Sequence, residues 1–94
     1  MVLEVALLDI IIGSEQAFAA DYATAKELVG QTPGCRSMRM TQGIETPTRF
    51  ILLVEWDSLA DHQAFRDSER YGQWRALVGP HFDGAPRVEH FTDL

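Results

Sequence analysis

The chain opens on residues 2–11, Val-Leu-Glu-Val-Ala-Leu-Leu-Asp-Ile-Ile, and Gly13-Ser14 closes the run. It is too aliphatic to alternate cleanly, which predicts a strand with apolar contacts on both faces. Ser14 then offers an N-cap oxygen, and Glu15 places an anion in a first helical turn, where the dipole favours it. Phe18, Tyr22, Ala25 and Val29 recur at helical spacing with Leu28 beside them, and Thr32-Pro33-Gly34 ends the helix, since proline cannot continue the ladder.

Residues 35–42 place Met38 and Met40 on one side and Ser37, Arg39 and Thr41 on the other, the alternation of an outer strand with one wet face. After the turn-rich Glu45-Thr46-Pro47, residues 49–56 read Arg-Phe-Ile-Leu-Leu-Val-Glu-Trp, and five consecutive apolar positions mark the most central strand. Ser58 and Asp61 form an approximate capping box for a second helix. Gly72 is the expected interruption in this helix, and Gly79-Pro80 stops it at Val78. Residues 87–91, Arg-Val-Glu-His-Phe, close the pattern as a strand.

The order strand, helix, strand, strand, helix, strand predicts an α+β, ferredoxin-like βαββαβ domain: a four-stranded antiparallel sheet with two main helices on one face. Helices cover only one face of such a sheet, yet the strands around residues 5–8 and 50–54 are apolar on both. A bare apolar face of that extent exceeds what soluble monomers normally expose, which predicts a homodimer packed through its sheet faces.

Composition narrows the partners. The 94 residues hold one cysteine, Cys35, so no internal disulfide forms, and the size suits a single domain over residues 1–94. Fourteen acidic against eight basic residues give a charge of −6, with the basic residues scattered. This argues against nucleic acid and anionic membranes, which need a concentrated positive patch. The longest apolar run falls short of the ~20 residues of a membrane span and lacks the charged start of a signal peptide, so the expected compartment is the cytoplasm.

Candidate chemistry concentrates in the C-terminal half. His62 sits three residues from both Leu59 and Phe65 on the same helical arc and so points inward; Arg66 follows one turn later. Two roles are open for His62: a general base or oxyanion donor, or a core-edge histidine bonded to a backbone carbonyl or to Glu55. Trp56, Phe65, Tyr71 and Trp74 add aromatic surface, and with His90 nearby they describe an apolar cavity with a few convergent polar groups. The histidines at 62, 81 and 90 lack the spacing of a zinc site, so no metal is expected. No GxGxxG, P-loop, GxSxG or HExxH occurs, so any catalysis is expected to run without a tightly bound organic cofactor.

The segments Arg49-Phe50-Ile51-Leu52-Leu53-Val54-Glu55-Trp56, Leu59-Ala60-Asp61-His62, Phe65-Arg66-Asp67-Ser68, Tyr71-Gly72-Gln73-Trp74 and Pro86-Arg87-Val88-Glu89-His90-Phe91 resemble the antibiotic biosynthesis monooxygenase family. The Glu-containing first strand and Pro33-Gly34-Cys35 with Ser37 agree, so the resemblance covers nearly the whole chain. It implies a dimeric α+β barrel and, as one activity among several on this fold, cofactor-independent oxygenation of a small electron-rich phenol, quinol or anthrone. On that reading His62 is base or donor, Arg66 stabilises negative charge, and Trp56, Phe65, Tyr71, Trp74 and His90 contact the substrate. A non-catalytic dimeric binding protein or an isomerase are the competing readings. A haem-degrading member is a further one, with His62 or His81 as axial ligand; the absence of any asparagine weighs against it, because those relatives use one in the pocket.

Overall fold

The structure, a computed structural model, describes residues 1–94. Four strands, β1 (Val2–Asp9), β2 (Cys35–Gln42), β3 (Arg49–Trp56) and β4 (Arg87–Phe91), alternate with helices α1 (Glu15–Gly30), α2 (Leu59–Arg66) and α3 (Glu69–Val78) and a short 3-10 turn at Gly79–His81. The strands form one antiparallel sheet in the order β2-β3-β1-β4, so the ferredoxin-like α+β expectation holds. Both doubly apolar strands are interior, and the half-wet β2 lies at an edge.

Alternation sorts the sheet into two faces. Glu4, Ala6, Leu8 and Ile10, continuing the line of β1, point inward with Phe50, Leu52, Val54 and Trp56 of β3, and all eight are buried. Phe18, Ala25 and Val29 of α1, Phe65 of α2, and Trp74 and Val78 of α3 complete one core on this face. Phe18 meets Phe50 edge-on at 4.9 Å. On the outer face, Leu3, Val5, Leu7, Ile51 and Leu53 are only half-buried and no element of the chain covers them.

Local chemistry moves several expected boundaries. The helical break falls at Asp67-Ser68 rather than Gly72: the Ser68 hydroxyl donates to the Phe65 carbonyl at 2.6 Å, and the Asp67 and Ser68 amides bond back to Gln63 and Phe65. A serine that offers the backbone an alternative partner ends a helix more effectively than an exposed glycine, which is tolerated within α3. Ser14 makes no side-chain cap; the Glu15 carboxylate instead accepts the Gly13 amide at 2.5 Å. Ser58 does cap α2, accepting the Asp61 amide at 3.2 Å. Leu59 is 55% exposed, so the inward arc of α2 consists of His62 and Phe65.

Gly34 sets where α2 begins. Its φ is +88°, a conformation that strains any residue with a Cβ, and a Cβ there would collide with the Asp61 side chain. Its carbonyl accepts the Asp57 amide at 2.8 Å. The loop after α1 is thereby tied to the turn that launches the His62 helix.

Candidate active site

Beneath the helices, the inner face opens into a cavity of about 260 Å³ between β1, α2, α3 and the segment leading into β4. This is slightly below the usual ~300–1,000 Å³ of small-molecule pockets. Ala6, Leu8, Leu52, Phe65, Trp74 and Val88 form much of its wall, while Glu4, His62, Arg66, Tyr71 and Arg75 supply its polar groups. A wider depression of about 460 Å³ lies on the outer face, lined by residues that include Leu3, Arg39, Leu53, Glu55 and Phe91. The smaller inner cavity is the candidate site, because there the buried Glu4 and His62 meet apolar walls.

Of the residues singled out from sequence, His62, Arg66, Phe65, Tyr71 and Trp74 line the cavity. Trp56 and His90 do not; they stand behind its polar wall. Trp56 is wholly buried, stacks on His62 at 5.1 Å with an interplanar angle of 15°, and donates its Nε1–H to Glu4 Oε1 at 2.9 Å. His90 Nε2 lies 2.7 Å from His62 Nδ1. Both residues, expected at the substrate, instead contact His62 or Glu4, which do line the cavity.

Glu4 was not anticipated as a site residue. It is 6% exposed, sits on β1 opposite Val54 of β3 and His90 of β4, and its Oε1 lies 3.3 Å from His62 Nε2. The partners foreseen for a structural His62 were a backbone carbonyl or Glu55. Its side-chain neighbours are instead Glu4 and His90, and Glu55 lies on the outer face bonded to Ser37. Arg75 is the other unanticipated polar group; its Nη1 donates to the Tyr71 hydroxyl at 3.3 Å.

Burial governs the electrostatics. It lowers the His62 pKa to about 4, helped by His90 and by the Arg66 charge, so the ring is neutral at physiological pH. Burial also raises the Glu4 pKa above the usual carboxylate range, against the opposing pull of the Trp56 hydrogen bond and Arg66. The pair has salt-bridge proximity without salt-bridge charge, since a neutral imidazole faces the acid. In the tautomer that fits both neighbours, His62 Nδ1 accepts from His90 Nε2–H and Nε2 carries hydrogen. Neither Arg66 nor Arg75 has a carboxylate within 4 Å, so both guanidiniums are available to a ligand.

His81 lies apart from this site, its Nε2 2.7 Å from Asp21 of α1. Cys35 is half-buried and burial pushes its thiol pKa up, the wrong direction for a nucleophile. No helix is long and apolar enough to cross a membrane.

YczJ of Bacillus subtilis (strain 168) is 36% identical over 95 residues, covering 100% of both chains. The 42.8 kDa protein in the whiE locus of Streptomyces coelicolor is 33% identical over 67 residues, which are 71% of this chain but 17% of that protein. A solved structure from Bordetella bronchiseptica, assigned to antibiotic biosynthesis monooxygenases, superposes with a TM-score of 0.94 at 33% identity, covering 99% of this chain and 96% of that one. SnoaB of Streptomyces nogalater, a cofactor-independent oxygenase, shares the fold with a TM-score of 0.84 at 11% identity, over 98% of this chain and 91% of that one. The profile of one family, described as antibiotic biosynthesis monooxygenase, matches residues 1–77 and so takes in β1, β3 and α2, from which Glu4, Trp56 and His62 come. The chain belongs to the antibiotic biosynthesis monooxygenase family.

Proposed function

We propose that the protein is a cofactor-independent monooxygenase acting on a small electron-rich aromatic of the phenol, quinol or anthrone type. The observation that carries this reading is the cavity itself: apolar walls sized for a compact ring system, with an acid, a neutral histidine and two unpaired guanidiniums converging on it. Deprotonation of such a ring gives an anion that reduces dioxygen directly. For an anthrone, the ring CH₂ and one O₂ become a carbonyl and one water.

The residues suit that chemistry. Trp74 and Phe65 hold the ring, and Tyr71, edge-on to Phe65 at 5.7 Å, bounds it toward α3. His62 serves as a donor through Nε2–H to the developing oxyanion, because a ring whose pKa is about 4 is a weak base. Arg66 and Arg75 add positive charge where negative charge accumulates.

A second copy of the chain is the proposed cover for the outer sheet face. Leu3, Val5, Leu7, Ile51, Leu53 and Phe91 form its apolar centre, and both signs of charge surround them, with Arg39 opposite Leu53 and Glu89 opposite Val5. Such a mixed patch can complement itself about a two-fold axis. Light scattering is expected to give twice the 10.6 kDa of one chain at micromolar concentration; a 10.6 kDa species removes the dimer.

The activity is tested by incubating the protein with anthrones, quinols and lactones, with and without air, while following oxygen and products. Oxygen uptake with quinone formation is the expected result. Binding without turnover makes the protein a sequestering module, and turnover without oxygen makes it an isomerase.

A further inference from the structure

Oxygenation as proposed above begins with loss of a proton, and His62 is poorly placed to take it: Nδ1 accepts from His90, and Nε2 already carries hydrogen in the tautomer that fits its neighbours. Glu4 is the one carboxylate on the cavity wall. It occupies an inward position on β1 where Ala6 and Leu8 continue the same row, so an apolar residue would satisfy packing there. Its two oxygens differ. Oε1 is held by Trp56 Nε1–H at 2.9 Å, whereas Oε2 has no protein hydrogen-bond partner and is not sealed from the cavity that the residue lines.

We propose that Glu4 is the proton acceptor of this site, taking a proton from an acidic C–H or O–H of the bound aromatic onto Oε2. The inference rests on the aromatic-substrate reading above. With an anthrone, the C10–H bond breaks and its electron pair delocalises into the ring as the enolate. The proton bonds to Oε2, the carboxylate becomes a carboxylic acid, and no electron leaves the system. Negative charge thus moves from Glu4 to the ring oxygen, toward the donors His62 and Arg66, while the burial that strengthens Glu4 as a base is retained. Trp56 keeps the carboxyl from turning away from the cavity.

The test uses anthrone in deuterated buffer under argon, with deuterium at C10 read by mass spectrometry, followed by admission of air and measurement of oxygen uptake. The wild type is expected to accelerate exchange over buffer, and Glu4→Gln, which still accepts the Trp56 N–H, to lose about 100-fold or more of it. Glu4→Asp, which keeps the acid but withdraws it by one methylene, is expected to lose about ten-fold, and it decides the matter should Glu4→Gln not fold. Exchange at the buffer rate in the wild type overturns the proposal, as does wild-type exchange in a folded Glu4→Gln or in Glu4→Asp. The two readings fail separately. Glu4-dependent exchange without oxygen uptake keeps the acceptor and removes the oxygenase; oxygen uptake that survives Glu4→Gln does the reverse.

Discussion

The two faces of this sheet are built from the same strands, one residue out of phase, and they use polarity in opposite ways. The inner face buries an acid and a histidine among aromatic and aliphatic side chains and partners them through Glu4, Trp56, His62 and His90. The outer face keeps its charged groups on the periphery and leaves Leu3, Val5, Leu7, Ile51 and Leu53 half-buried in the centre. A buried ionisable pair costs free energy and persists when something uses it, whereas an exposed apolar centre persists when something covers it. The difference is what the proposed division rests on, with chemistry at the inner face and association at the outer one.

The largest effect is expected from cutting into the inner face at its most enclosed point. Phe18→Ala removes a wholly buried ring packed on Phe50 and is expected to cost about 3–5 kcal/mol in urea unfolding. A cost under about 1 kcal/mol would show the inner face to be as loosely packed as the outer one. Next is the pH dependence that only the inner face carries. The His62 pKa is about 4 in the folded chain against an ordinary 6.5, so its neutral form contributes stability that is complete above pH 6.5 and is lost as pH falls toward 4. Glu4, with its pKa raised, works in the opposite sense: its contribution is present below the ordinary value of 4.5 and is lost as pH rises through its higher folded value. The gap between the wild type and His62→Gln is therefore expected to narrow by up to about 3 kcal/mol between pH 7 and pH 4, followed by tryptophan fluorescence in urea. A constant gap contradicts a neutral buried His62. The smallest effect on the stability of the single chain is expected on the outer face: Leu53→Asp should halve the mass in solution while costing the monomer less than about 1 kcal/mol. Unfolding of the chain by that change would mean the outer face is part of the core.

Much of the architecture was legible because periodicity reports burial directly. The double-sided apolar runs in β1 and β3, the one-sided β2 and the stripe on α1 all sort residues by face before any contact is known. The cavity lining was legible where a polar residue shares a helical arc with apolar ones, as His62 does with Phe65. Glu4 carried an equivalent signal: it is in phase with Ala6, Leu8 and Ile10, a lone acid on an otherwise apolar inward row. In a strand apolar on both sides, that phase is easily lost among its neighbours. Trp56 and His90 belong to the expected cluster but stand behind the cavity lining, because membership of a cluster does not say which side chain stands in front. The helical break was misplaced since glycine's backbone cost is visible in any sequence, whereas the Ser68 hydroxyl reveals its competing bond only once Phe65 is folded beside it.

Loops between elements are ordinarily where a family of proteins can change length and composition at little cost. The turn at Gly34 is exempt: it admits no side chain and holds the launch point of α2 through Asp57. A residue remote in sequence from His62 is thereby packed against Asp57 and Asp61, at the start of the helix that carries it. Changing the shape of the cavity has freedom in the segment before β4, where Ala85 and Pro86 wall it, and very little in the loop that follows α1.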